Sequence, residues 1–268
     1  MKRRFLFPAV MAAVCLVLAS CSRSGSAAAT EVLQALAATA ALTDYAVVAD
    51  TEMTVQGGTG TDGLSMTQCM WRTGENAMQK MSTYDVDGTP LFENGSALVD
   101  GVYYWFDGKH WSPDETGIAA TANLEWMPKV NWPEKESDLT VTKEGNTYTV
   151  VIGEGAFPAM VEEQVAAMEA EEQALIDRGL ASDAEERRQA RENAARAQYE
   201  ELRYTIEVED GLAVACTTYS RVRQPAADGE PADAATVSEI TYSWRLTGTD
   251  AAGIADIIGE AAGNRSGK

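Results

Sequence analysis

Short segments of alternating apolar and polar residues, separated by Asp-Gly and Asn-Gly dipeptides, restrict the fold of this chain more than any other feature. In segment 45–56 the apolar face consists of Tyr45, Val47, Ala49, Met53 and Val55. A period of two over this length is typical of an antiparallel strand buried on one side. Comparable segments are 63–73, 76–86, 96–111, 139–152, 203–222 and 236–246. The dipeptides at 87–88, 94–95, 100–101 and 107–108 predict tight turns between strands.

Helical patterns occur in two places. Residues 31–42, with Thr30 as N-cap, predict a helix before the first strand. Residues 158–178 and 182–203 are rich in Ala, Glu, Gln and Arg, and Gly179 between them suits a helix end. The chain is therefore predicted to be an α+β protein with one antiparallel sheet, an N-terminal helix and a two-helix insertion over 158–203.

The N-terminus has the features of a signal peptide. Lys2, Arg3 and Arg4 precede an uncharged run from Phe5 to Ala19, which is too short for a stable membrane span. The run ends in Leu-Ala-Ser-Cys, which resembles the bacterial lipobox. That resemblance implies cleavage before Cys21 and lipid attachment to its sulfur; the alternative is an ordinary secretory signal with an incidental cysteine. Residues 1–20 are thus predicted to be the signal peptide, 21–30 a lipidated tether, and 31–268 one domain.

The net charge excludes some classes of binding partner, and the cysteine content leaves one disulfide open. The formal net charge is −20, and removal of the three N-terminal cations leaves −23. Such a charge argues against nucleic acid as a partner and against electrostatic docking on an anionic membrane, so a lipid would have to provide the anchor. Cys69 and Cys216 remain in an oxidising compartment. A disulfide between them and two buried free thiols both stay open.

The sequence contains no recognisable catalytic or metal-binding pattern. His110 is the single histidine, and no nucleophile-elbow serine or CxxC accompanies it. Residues 58–63 fit G-x-G-x-x-G, but strand patterns flank them on both sides, which favours a loop over a dinucleotide site. The glutamates of 162–172 are read as a solvated helix face. We therefore predict a non-enzyme without cofactor or metal.

The chain is similar to a family of bacterial lipoprotein carriers. Segment 44–55 after its helix, and segment 97–111 with its Asp-Gly hairpin, look like the early strands of the LolA, LolB and LppX type. The likeness extends over 30–152 and 203–246. It implies a strongly curved, incomplete β-barrel around an apolar cavity covered by helices, and it implies carriage of a lipid.

Two functions follow as expectations. The first is an extracytoplasmic lipoprotein, anchored in the cell membrane, that binds or carries a hydrophobic ligand. Its cavity would be lined by Val47, Met53, Tyr242 and Trp244 on the apolar faces of the first and last strands. The second is an envelope lipoprotein that binds another protein through a sheet edge or the helical insertion.

Overall fold

A computed structural model gives the fold, an α+β protein with four α-helices and one large sheet among the residues it describes. These residues are 27–57, 60–85, 87–115, 124, 126, 130, 132–133, 135–177, 184–226 and 235–263. The predicted signal peptide and Cys21 lie outside them. The helices are α1 (Ala27–Ala40), α2 (Phe157–Asp177), α3 (Ala184–Arg196) and α4 (Ala251–Gly259).

Eleven antiparallel strands form the sheet, in the order β6-β5-β4-β3-β2-β1-β11-β10-β9-β8-β7. Their bounds are β1 Asp44–Gly57, β2 Gly60–Thr73, β3 Asn76–Asp85, β4 Pro90–Val99, β5 Val102–Phe106, β6 Trp111–Pro113, β7 Leu139–Glu144, β8 Thr147–Ile152, β9 Gln198–Glu209, β10 Leu212–Gln224 and β11 Thr236–Gly248. The first and last strands pair at the centre, whereas β6 and β7 are edges that do not meet. The sheet is thus antiparallel and not closed, and the predicted α+β class with one antiparallel sheet is confirmed.

Helix α1 packs on one side of the sheet, which we call the inner face. Val32, Ala35 and Leu36 enter a core with apolar side chains of β1, β2 and β8 to β11. The Thr39 hydroxyl donates a hydrogen bond to the carbonyl of Ala35 (3.0 Å) or of Ala213 (3.0 Å), which anchors the end of the helix to β10. Helix α1 begins at Ala27, inside the stretch predicted as tether, because Ala27 to Ala29 favour a helix.

Helix α4 covers part of the opposite, outer face, and the sequence patterns did not predict it. The Asp250 side chain caps its N-terminus by accepting a hydrogen bond from the backbone N–H of Gly253 (3.1 Å). Ile254 and Ile258, one turn apart, are buried against Ala46, Met78, Ala97 and Val99. The N-cap and the i, i+4 isoleucines are the signals that identify this helix.

The predicted insertion consists of two helices, with different bounds. Helix α3 ends at Arg196, and 198–203, predicted as helix, belong to β9, where Leu202 is buried in the core. Phe157 is buried and Met160 packs against the core, but Ile176 is 48% exposed. Among the described side chains of α2, those that contact the core thus belong to its first turn.

Asn94 and Gly95, predicted as a turn, lie within β4. Gly95 pairs with Lys80 and Phe106 on the neighbouring strands. A Cβ at this position would lie 2.6 Å from the carbonyl oxygen of Gln79 and 3.1 Å from the Trp111 ring. The glycine therefore serves the close approach of a ring to the sheet, which a dipeptide pattern does not distinguish from a turn.

Candidate ligand-binding surface

The inner face of β2 to β5 is not covered by α1. Strand register places its residues: Met70 of the core pairs with Gln79, and Gln79 pairs with Ser96. We call this area the β2–β5 inner surface; its residues are Leu64, Met66, Gln68, Met70, Ala77, Gln79, Met81, Thr83, Phe92, Asn94, Ser96, Leu98, Tyr103 and Trp105. Met66, Met81, Tyr103 and Trp105 are half-buried, and Phe92 is 50% exposed. Apolar side chains are therefore still accessible here.

Charge is separated between the two faces of these strands. No residue of the β2–β5 inner surface is ionisable, apart from the tyrosine. The first charged residues on this face are Arg72 and Asp85, towards opposite ends of the strands. The outer face carries Lys80 and Glu93 on the same strands. In a chain with a net charge of −20 this separation makes the inner surface suited to an uncharged occupant.

Polar groups on the surface are neutral and only partly paired. The Gln68 Nε2 donates to Gln79 Oε1 at 3.0 Å. Thr83 is 5% exposed, and its Oγ1 makes no hydrogen bond with any described residue. A buried hydroxyl without a partner costs roughly 1–3 kcal/mol, so this group stands out on a surface otherwise made of Met, aromatic and amide side chains.

The four residues predicted to line a cavity do share the inner face, since β1 pairs with β11. Val47 and Trp244 are 2% and 3% exposed and lie within the packed core, where the ring of Trp126 contacts that of Trp244 at 4.8 Å. Met53 and Tyr242 are half-buried, and burial raises the pKa of the Tyr242 hydroxyl. Val47 and Trp244 are therefore filled core positions, whereas Met53 and Tyr242 are half-buried like the residues of the β2–β5 inner surface.

The sequence patterns do not identify Trp126, which lies outside the helices and strands and is buried on the inner face. Its backbone N–H donates to the Tyr45 hydroxyl at 3.0 Å, and its ring packs between Tyr45 and Trp244. Its indole N–H reduces the pKa rise of Tyr242, but the two groups do not reach normal hydrogen-bond geometry. Trp126 thus fills the inner face at the predicted cavity.

Cys69 and Cys216 are both free thiols. Strands β1 and β11 lie between β2 and β10, so the two cysteines are about three strand spacings, or ~14 Å, apart, well beyond disulfide reach. Cys69 pairs with Lys80 on the outer face, whereas Cys216 belongs to the inner core. Burial raises the pKa of the Cys216 thiol to about 12, and burial also raises that of Cys69.

Two depressions occur elsewhere on the molecule. One, of about 480 Å³, lies along β1 and β9 to β11 beside the ion pair of Arg245 with Glu207 (3.3 Å). The other, of about 490 Å³, lies where α2 begins and α3 ends, beside the Phe157 and Tyr199 rings. Both are broadly open to solvent and mix polar with apolar groups, so neither has the enclosed apolar character expected of a lipid cavity.

An ion pair joins α1 to the edge strand β7. Lys143 Nζ lies 2.8 Å from the Glu31 carboxylate and 5.0 Å from the centre of the Tyr148 ring. The hydrogen bond that Lys143 donates to the Glu31 carboxylate lowers the pKa of Glu31 and raises the pKa of Lys143. This contact holds the start of α1 against the edge of the sheet.

His110 and the G-x-G-x-x-G stretch lie in or beside turns between strands. His110 is exposed in the β5–β6 turn, where its backbone N–H donates to the Asp107 carboxylate at 2.8 Å and lowers the pKa of that group. Gly57 ends β1 and Gly60 begins β2, so the G-x-G-x-x-G stretch, of which 58–59 lie outside the described residues, joins two paired strands. Within the described part of the chain no group of three His, Cys, Asp or Glu residues is placed to hold a metal ion.

Comparison with known proteins gives no family. No family model matches the chain, and no curated protein is similar to it. Among solved structures, a bifunctional dehydratase-cyclase domain from ambruticin biosynthesis aligns with 88% of this chain and 84% of its own, at 14% identity and a TM-score of 0.14. MucB in complex with MucA(peri) aligns with 85% of this chain over 97% of its own length, at 9% identity and a TM-score of 0.12. These scores do not indicate a shared fold. None of the described helices is both long and apolar enough to cross a bilayer.

Proposed function

We propose that this protein is a membrane-anchored extracytoplasmic lipoprotein that binds a hydrophobic, lipid-like ligand on the β2–β5 inner surface and catalyses no reaction. The observation that carries the proposal is the uncharged, partly exposed inner surface with accessible Met66, Met81 and Trp105. Methionine adapts its shape to irregular apolar partners, and aromatic side chains add contact area. The lipobox at Cys21 supports the location, and the likeness to the LolA, LolB and LppX type supports lipid carriage.

A matched pair of variants tests the ligand site. Met81 and Ser82 are neighbours in β3 with side chains on opposite faces, inner and outer. The chain from Ser22 to Lys268, which retains every described residue, is produced in bacteria as wild type, Met81→Arg and Ser82→Arg. Native mass spectrometry and organic extraction then identify any molecule that purifies with each protein.

We expect a stoichiometric lipid in the wild type and in Ser82→Arg, and its loss from Met81→Arg, because a charge on the inner surface is costly beside an apolar chain. Circular dichroism checks that both variants fold. No co-purified molecule in any sample, or equal amounts in all three, would contradict lipid binding at this surface.

The insertion supports a second candidate function, protein binding in the cell envelope. Outside Phe157, no residue of α2 or α3 whose side chain the structure describes is buried. Two ion pairs between the helices, from Arg187 and Arg191 to Glu172, are the ionic contacts between them within the described residues. A projecting helix pair with so little core offers a surface to a partner protein. A partner retained by the wild type and lost when residues 159–196 are replaced by a short Gly-Ser linker would favour this function.

A further inference from the structure

We infer that the ligand of the β2–β5 inner surface is an uncharged lipid with an ester- or amide-type carbonyl, which accepts a hydrogen bond from the Thr83 hydroxyl. The inference rests on the proposed ligand-binding function and specifies the ligand class. It follows from three features of one surface: an unpaired donor, neutral surroundings, and a charge that disfavours anions.

The unpaired donor is the hydroxyl of Thr83. Its position on the inner face follows from its register, since it pairs with Met66 on β2 and Phe92 on β4. The residue is 5% exposed, and among the residues that the structure describes its Oγ1 has no hydrogen-bond partner. Because a neutral hydroxyl without a partner is destabilising when buried, an occupant that supplies an acceptor oxygen gains the hydrogen bond the protein itself does not make.

The surroundings of this hydroxyl favour an apolar chain. Met66 and Met81 are half-buried, and Phe92 is 50% exposed at the edge of the surface. Methionine side chains change rotamer easily, so they can move aside and expose the hydroxyl when a chain binds between them. The Gln68–Gln79 pair lies further along the same strands and adds neutral amide groups without any net charge.

Nearby charge excludes an ionised headgroup at this point. Asp85 follows Thr83 by two residues on the same face of β3, about 7 Å along the strand. A carboxylate or phosphate beside Thr83 would be repelled by it. Arg72, the cation on this face of β2, is six residues from Met66, or ~20 Å. Lys80 lies on the outer face, 5.1 Å from the centre of the Phe106 ring.

Three probes with the same twelve-carbon backbone separate the ligand classes: methyl dodecanoate, dodecane and dodecanoate at pH 8. Their affinities for lipid-free protein, residues 22–268, are measured by displacement of the uncharged dye Nile red. We expect the methyl ester to bind roughly 2- to 12-fold more tightly than the alkane, the range of one net neutral hydrogen bond. Dodecanoate should bind more weakly than the ester.

Two substitutions at one position test the hydroxyl itself. Thr83→Val removes it with little change in shape and should abolish the preference for ester over alkane while leaving alkane affinity unchanged. Thr83→Ser keeps the hydroxyl and should keep the preference. Thermal unfolding without ligand gives an independent readout, since loss of an unpaired hydroxyl should not lower the stability of Thr83→Val.

The outcomes distinguish this inference from the function on which it rests. If the wild type binds none of the three probes, lipid binding itself is overturned, and this inference with it. If the wild type binds ester and alkane equally, if it binds dodecanoate as tightly as the ester, or if Thr83→Val keeps the preference, lipid binding stands and the assigned ligand class is wrong.

Discussion

Gly95 occupies a position where the sheet leaves no room for a side chain. An added Cβ would meet the carbonyl oxygen of Gln79, a backbone atom that cannot move without disturbing the ladder. We expect Gly95→Ala to lower the free energy of unfolding by about 1–3 kcal/mol, the usual range for overpacking. Gly248→Ala is the control, since a methyl there meets no atom within 4 Å. Equal denaturant midpoints for the two variants would contradict the close approach at Gly95.

The two cysteines should differ in reactivity. Burial holds the pKa of Cys216 near 12, so at pH 8 only about one molecule in 10⁴ carries its thiolate. In the chain from Ser22 to Lys268 we expect a thiol reagent to modify Cys69 within minutes and Cys216 only after unfolding. Cys69→Ser should remove the fast reaction. If the protein unfolded in denaturant without a reductant shows no reactive thiol, Cys69 and Cys216 form a disulfide.

At the scale of elements, the contact between α1 and β7 predicts a pH dependence. The pKa of Glu31 is lower in the folded chain than its ordinary value of 4.5. The contact therefore stabilises the fold above pH 4.5, and that stabilisation is lost as the pH falls through the lowered folded-state pKa. Glu31→Gln should therefore be less stable than the wild type at pH 6, and the difference in free energy of unfolding should become smaller at pH 3. Urea unfolding at both pH values measures this difference. Glu144→Gln is a control at the end of the same strand; a constant difference for Glu31→Gln would argue against the ion pair.

Elements with a local signal could be predicted from the sequence. The Asp-Gly dipeptides at 87–88, 100–101, 107–108 and 210–211 lie in turns between strands. The glycine of each has a positive φ, which glycine adopts readily, so the dipeptide is a reliable local signal. The turn predicted at Asn94-Gly95 was wrong, because a glycine can also be required where the backbone of a neighbouring strand leaves no room for a side chain. The boundary at 198 was missed because Gln198, Glu200 and Glu201 favour a helix. Pairing with β10 and burial of Leu202 place this segment in β9 instead.

At the scale of the whole molecule, the lipobox predicts the mode of attachment. Cys21→Ala, produced with an ordinary secretory signal that is cleaved independently of Cys21, should release the protein from the membrane fraction, since the acidic mature chain offers no second membrane signal. Cys15→Ala, which precedes the predicted cleavage site, should remain in the membrane. Fractionation followed by immunoblotting measures both. Full retention of folded Cys21→Ala would contradict lipid anchoring as the sole attachment.

The type of sheet could be predicted from the sequence, whereas the position of the accessible apolar surface could not. Alternation in 45–56 and 236–246 identified two strands with one apolar face each, and the structure pairs them. The alternation of apolar and polar residues does not indicate which apolar faces a helix or a tryptophan will cover. Trp126 covers the inner face at Trp244, whereas the inner face of β2–β5 keeps half-buried apolar side chains. On β2 and β3 the polar residues Gln68 and Thr83 weaken the alternation.

The central pairing of β1 with β11 has a consequence for the order of folding. Met53 and Ile240 are partners although 187 positions separate them, whereas most other strands pair with their neighbours in the chain. Closing so long a loop is slow, so two local meanders should form before this seam does. During synthesis β1 is therefore an unpaired edge until the last strand emerges. Asp50 and Glu52, acidic residues in that edge, disfavour its pairing with another chain in the meantime.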